Sequence, residues 1–284
     1  MIKSTALLNK DFKDGWFMKK LLLSLSFTLF VINSFADETI TIGATPVPHA
    51  EILKAVKPQL AKQGYTLKIT EFSDYITPNL ALSQKQLDAN FFQHQPYLDQ
   101  YNKDHKTNLV SLVKVHLEPM GIYGNPATEA KLIKSKKSVD VAPNSKVGVP
   151  NDPTNEGRAL NILQANGIIK IKSGVTYPTK KDIIANPYNI KIVELEAAML
   201  PRSLVGKQLD LAVINSNFAL SANLNPTKDS IFLEQKDSPF VNIVAVRPDE
   251  LNQPKIKALA KALNSPEVKQ YITTQYKGAI IPAF

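Results

Sequence analysis

The 284-residue chain contains no cysteine. That absence removes disulfides, thiol nucleophiles, zinc–thiolate sites, iron–sulfur clusters and any lipid carried on a cysteine. Histidine is scarce too: His49, His94, His105 and His116 show no paired metal-ligand spacing and no H-E-x-x-H pattern, so no metal and no cofactor are expected. There is no G-x-S-x-G elbow, no phosphate-binding glycine loop and no dinucleotide fingerprint. An enzyme with Asp74, Asp152 or Glu196 as acid or base near His94 stays open as an alternative, although nothing marks the tuned pair that such chemistry needs. The formal charge is +9; five lysines and two aspartates fall within residues 1–36, leaving +6 for the remainder. The basic residues are spread along the chain and are not interleaved with aromatics, so no nucleic-acid partner is expected.

From Met18 the chain reads Met-Lys-Lys, an apolar run from Leu21 to Ile32, then Asn33-Ser34-Phe35-Ala36 before Asp37. A basic start, a short apolar core and small residues at −3 and −1 outline a signal peptide over 18–36 with cleavage after Ala36. The run is short for a membrane span. Residues 1–17 carry no feature of a targeting segment, so Met18 is the expected start, and the lone tryptophan, Trp16, lies before it.

Beyond Asp37 the pattern alternates strand and helix. Thr39–Gly43 and Leu67–Phe72 read as strands on either side of a helix from Ala50 to Lys62, where Ile52, Val56 and Leu60 recur at helical spacing. A short helix near Pro78, a helix around Tyr97–Lys103 and a strand over Leu109–Leu117 follow. The pattern resets at Glu118–Gly124, the expected first crossing between lobes. The second half reads strand 146–149, helix 156–165, helix 180–185, strand 190–195, helix 200–204, strand 209–214, strand 240–246 and terminal helices over 253–276. Such alternation predicts mostly parallel α/β sheets with helices on both faces, and ligands bind at the carboxyl ends of such strands. The expected division is 37–120 for the first part of lobe 1, 121–241 for lobe 2 and 242–284 for the return to lobe 1.

Several side chains have binding chemistry and an equally ordinary structural use. Arg158, inside a helix start after Pro153-Thr154-Asn155, can grip a carboxylate or sit in a surface salt bridge. Asn215 and Asn242 suit a zwitterion, or serve as turn formers and caps. Tyr75, Phe91, Phe92 and Tyr97 can wall an apolar slot or fill a core. In a strand, Phe92 and His94 share one face while Phe91 points to the other. His94 reads as a neutral pocket donor and His49 as a loop anchor near a cleft.

The stretch Asp88-Ala89-Asn90-Phe91-Phe92-Gln93-His94-Gln95-Pro96-Tyr97-Leu98 resembles the methionine-binding lipoproteins that serve bacterial ABC importers. So do Gly43-Ala44-Thr45 with Pro48–Leu53, Val149–Asn155 with Gly157–Leu160, Pro201–Leu204, Ala212–Asn215 and Lys236–Asn242, in the family's order from about Thr39 to Phe284. The resemblance implies a two-lobed periplasmic binding protein of type II-like α/β fold, with a cleft between lobes joined by two crossing strands. It implies methionine as ligand, an ABC permease and ATPase as partners, no catalysis, and a monomer. It carries Tyr75, Phe92, His94, Arg158, Asn215 and Asn242 over as ligand contacts, with Phe91, Tyr97 and His49 as secondary candidates. D-methionine, methionine-containing dipeptides, another amino acid, a thiamine-like or sulfonate compound, or a surface adhesin on the same scaffold remain alternatives. One departure stands out: the family's cysteine after the signal segment is absent, so a freely diffusing periplasmic form is expected.

Overall fold

Two mixed sheets organise the chain, and the backbone passes between them twice. The computed structural model describes residues 38–125, 134–135, 138–139, 141–235 and 238–284. The signal segment, the residues before it and Lys236–Asp237 lie outside these.

The first sheet begins with β1 (Glu38–Ala44), α1 (Glu51–Ala61), β2 (Tyr65–Glu71), α2 (Thr77–Ser83), β3 (Ala89–His94), α3 (Gln95–His105) and β4 (Val110–Leu117). β1 pairs in parallel with both β2 and β3. The chain then crosses through Glu118–Met120 into β5 (Gly121–Gly124), and the short pair β6 (Lys134–Ser135) and β7 (Ser138–Val139) follows. Next come β8 (Lys146–Pro150), α4 (Pro153–Ala165), β9 (Lys170–Ile171), β10 (Ile183–Ala185), β11 (Lys191–Leu195), α5 (Leu200–Val205), β12 (Leu211–Ile214), α6 (Ser216–Ser221), α7 (Pro226–Asp229) and β13 (Phe232–Leu233). The second crossing leads to β14 (Val241–Val246), α8 (Pro254–Leu263), α9 (Pro266–Tyr276) and β15 (Ile281–Pro282). The six-stranded sheet runs β15-β4-β14-β3-β1-β2, and the five-stranded one β11-β8-β12-β5-β13.

The expectation of mostly parallel sheets is corrected here. β14 enters the first sheet between β3 and β4 and is antiparallel to both, and β5 is antiparallel to β12 and β13. Strands that carry the chain across or bring it back run against their neighbours, a consequence of connectivity that hydrophobic period does not encode. The segment 180–185 is also not a helix. Thr179 and Asp182 close a single turn by a reciprocal capping box, after which the β-branched Ile183 and Ile184, poor helix formers, extend, and Ile183 and Ala185 pair with β9.

The first core lies between the β1–β3 face and α1, α8 and α9, with Ile40, Ile42, Phe91, Val244, Leu259 and Ile272 fully buried. Each such side chain contributes about 1.5–3 kcal/mol by leaving water. The second core joins β5, β8 and β12 to α4 through Met120, Ile122, Val147, Leu160 and Val213. Residues 253–276 form two helices because Ser265 caps the second, accepting from the Val268 amide at 3.3 Å.

Candidate functional site

Strand alternation decides which β3 side chains meet the cleft. Phe91 is fully buried in the first core, edge-on to His49 at 4.6 Å between ring centroids. Phe92 and His94 turn to the opposite face and line a cavity. His94 ends the strand and caps α3: its Nδ1 accepts from the Tyr97 amide at 3.1 Å. The proton therefore sits on Nε2, which donates to Asn155 Oδ1 at 3.2 Å. Burial, reinforced by the nearby Arg158 charge, lowers the His94 pKa to about 3, so the ring is neutral at physiological pH.

Beside it, Tyr75, Phe92 and Tyr97 form a triangle with centroids 5.8–6.0 Å apart. The Tyr97 hydroxyl donates to the Tyr75 carbonyl at 2.8 Å, and the Tyr75 hydroxyl donates to Asn217 Oδ1 at 2.6 Å. Asn217 belongs to α6, so this bond joins the elements of the two sheets. Behind the triangle, Asn79, Asn90 and Gln93 interlock through buried amide bonds of 2.7–2.9 Å, fixing α2 against β3.

The opposite wall comes from α4. Asp152 accepts from the Asn155 amide at 2.9 Å and caps the helix. It also takes the Asn155 side-chain amide at 3.0 Å, which turns Asn155 Oδ1 toward His94 and toward Asn215 Nδ2 at 2.9 Å. Gly157 lets the chain at Tyr177–Pro178 pass so close that an added Cβ would stand 2.9 Å from the Tyr177 Cα. Arg158 follows and is only 3% exposed. Its Nε donates to Glu234 Oε1 at 3.2 Å, its Nη2 donates to Glu234 Oε2 and, at 2.8 Å, to the Glu118 carbonyl. The guanidinium stands 4.3 Å over the Phe240 ring, and Phe240 meets His94 at 4.9 Å. The salt bridge considered from sequence exists, but it is buried and joins α4 to the segment after β13.

All six residues expected to meet a ligand, Tyr75, Phe92, His94, Arg158, Asn215 and Asn242, line one cavity, and Tyr97 lines it with them. Phe91 and His49 lie behind its wall. Glu118, Asn155 and Gln93 also line it and were not singled out from the sequence. Asn155 stood in a recognisable Asp-Pro-Thr-Asn helix start, whereas Glu118 showed only as a break in pattern.

Glu118 forms the floor. Its Oε1 accepts from His116 Nε2 at 2.7 Å and lies 3.2 Å from His49 Nε2; its Oε2 accepts from the Asn217 amide at 3.0 Å. His49 Nδ1 accepts from the Thr45 hydroxyl at 2.7 Å, and its Nε2–H also reaches Asn242 Oδ1 at 3.0 Å. Burial lowers the pKa of His49 to about 4 and of His116 to about 3, and raises that of Glu118. The fold thus gathers donor atoms of His49, His116 and Glu118 within 4.8 Å of one another, which sequence spacing did not foretell. Their facing atoms are already engaged: His116 Nε2 with Glu118 Oε1, and His49 Nε2 with Asn242 Oδ1. One acceptor in the cavity wall is not satisfied: Asn215 Oδ1 is buried without a partner among the described residues.

The carboxylates considered for acid–base work are occupied elsewhere. Asp74 accepts from the Ile76 and Thr77 amides at 2.8 and 2.7 Å, and Asp152 holds α4. Neither these nor Glu196 lines the cavity.

Comparison with known proteins gives a consistent picture. A family model described as NlpA lipoprotein matches residues 40–284. The D-methionine-binding lipoprotein MetQ of Salmonella typhi is 44% identical over 234 residues, 82% of each chain. The methionine-binding lipoprotein MetQ of Bacillus subtilis (strain 168) is 39% identical over 279 residues, covering 93% of this chain and 99% of the relative. Among solved structures, a nutrient-binding protein from Burkholderia cenocepacia bound to methionine superposes with a TM-score of 0.79 at 45% identity, covering 86% of this chain and 100% of that one.

Proposed function

The chain belongs to the NlpA lipoprotein family, and from that premise we propose that it is an exported solute-binding protein that captures methionine and delivers it to an ABC importer. L-methionine is the proposed principal ligand, with D-methionine and methionine-containing dipeptides as further cargo. The permease and ATPase subunits of the importer are its partners, and it works as a monomer.

Support comes from one observation: a single cavity unites a guanidinium, unsatisfied or anionic acceptors, and a triangle of aromatic rings. A zwitterion needs a cation for its carboxylate, and Arg158 supplies it. Its ammonium needs acceptors, for which Asn215 Oδ1 and the Glu118 carboxylate are available. A thioether gains about 0.3–1.5 kcal/mol from aromatic edges, and Tyr75, Phe92 and Tyr97 offer them. Asn242 adds an amide at the second crossing.

The proposed lobes are 37–120 with 242–284, and 121–241, hinged near Met120 and Asn242. Ligand that touches both walls favours the closed arrangement by its differential affinity, so closure is a population shift. The relatives are lipoproteins by name. With no cysteine for lipidation, we place this chain in the periplasm as a freely diffusing protein, to be tested by its release on osmotic shock.

Native mass spectrometry of protein purified without refolding tests the ligand. The expected result is a bound mass equal to one methionine, displaced by excess D-methionine or a dipeptide according to their relative affinity. Retention of an unrelated compound, with no uptake of added methionine, would overturn the proposal.

A further inference from the structure

Arg158 borders two spaces. One is the cavity already described; the other is a more open recess lined by Asn161, Phe232, Glu234, Gln235 and Phe240. A long, flexible side chain on such a partition needs holding if it is to serve one side only. Three contacts do this. Glu234 takes Nε and Nη2, the Glu118 carbonyl takes Nη2, and Phe240 supports the flat face. Among the described residues no bond is made to Nη1, the one nitrogen left to donate.

Glu234 is itself clamped. Its amide donates to the Met120 carbonyl at 2.9 Å, its Oε2 accepts from the Met120 amide at 3.2 Å, and its Oε1 lies 3.3 Å from the Ser238 hydroxyl. Met120 belongs to the first crossing, while Glu234 and Ser238 lead into the second. The anchor for Arg158 therefore sits where both crossings meet.

We propose that Glu234 is a positioning residue that keeps the Arg158 guanidinium on the ligand side of this partition, with Nη1 toward the ligand's carboxylate, and so sets the preference for an amino acid over an analogue that lacks the carboxylate. This rests on Arg158 being the carboxylate's partner. Without Glu234 the guanidinium is free to swing into the recess, and the carboxylate loses its donor while the aromatic slot is untouched.

Calorimetry with L-methionine and L-methioninol, which replaces the carboxylate by an alcohol, tests this on the whole mature chain. Glu234→Ala is expected to weaken methionine binding by at least about tenfold while methioninol changes by less than about threefold. Glu234→Gln, of the same size and still an acceptor, is expected to recover part of the loss. A parallel loss for both ligands, or no loss for either, would overturn the proposal. Arg158→Ala separates the two levels. If it leaves the ratio of the two affinities unchanged, the carboxylate assignment itself has failed. If it collapses the ratio while Glu234→Ala does not, only the role of Glu234 is wrong. Should Glu234→Ala not fold, as judged by its thermal transition, Glu234→Gln alone must lower the ratio for the proposal to stand.

Discussion

His94 and Asn155 meet across 3.2 Å, one at the end of a strand of the first sheet and the other in the first turn of a helix beside the second. Because Asn155 Oδ1 accepts from Asn215 as well, this amide joins three cavity-lining residues. Removing it leaves buried donors without partners, which costs about 1–3 kcal/mol each. Asn155→Ala is expected to lower both thermal stability and ligand affinity, and to shift the unliganded protein toward an open form in small-angle scattering. Unchanged scattering and affinity would show that the contact does not tie the walls together.

Arg158→Ala is expected to weaken methionine binding by about 2 kcal/mol or more, the scale of a lost charge-assisted pair. It also leaves Glu234 without its cation, so a stability loss accompanies it. Calorimetry with L-methionine, paired with a urea titration, separates the two effects. Affinity that stays put would remove the guanidinium from the recognition of the carboxylate.

The aromatic triangle should be felt through sulfur. Phe92→Leu keeps an apolar wall but removes a ring, so the advantage of methionine over norleucine is expected to shrink by about 0.3–1.5 kcal/mol. Competition measured by tryptophan-independent methods is required, because the one tryptophan precedes the proposed signal segment. An advantage that persists in full would assign the sulfur preference to other groups.

Acid should destabilise the fold in a defined window. His49, His94 and His116 have folded-state pKa values lowered from 6.5 to about 4, 3 and 3. The unfolded chain therefore takes up protons first as pH falls, and the stability these neutral rings confer, complete above about 6.5, is lost on the way toward pH 4. Each contributes a loss of about 2 kcal/mol between pH 7 and 5, partly offset by Glu118, whose raised pKa works in the opposite sense. Urea midpoints at pH 7, 6 and 5 should fall in that order. A flat profile would mean that these rings are charged in the native state.

Much of this site was legible because it rests on local rules. The period of two in Phe91-Phe92-Gln93-His94 sent Phe92 and His94 to one face and Phe91 to the core, as the strand does. The Asp-Pro-Thr-Asn run announced a helix start, and α4 begins there. What escaped was long-range. Nothing near Arg158 signals a partner at Glu234, and nothing near Glu118 signals His49, which reaches it from the loop before α1. Pairing direction was lost for the same reason. Hydrophobic period says that β14 is a strand, not that it returns between two strands made more than a hundred residues earlier. The expected 180–185 helix failed on a local point: the turn capped by Thr179 and Asp182 ends where Ile183 begins a strand.

The place of β14 has a consequence for synthesis. Until residue 246 has been made, β3 and β4 have no strand between them, and the first hydrophobic core lacks Val244, Leu259 and Ile272. Contacts so distant in the chain form late and slowly. A nascent polypeptide of this topology stays unfinished until translation is nearly over, which is the condition in which a chain bound for export can still be threaded through a narrow pore.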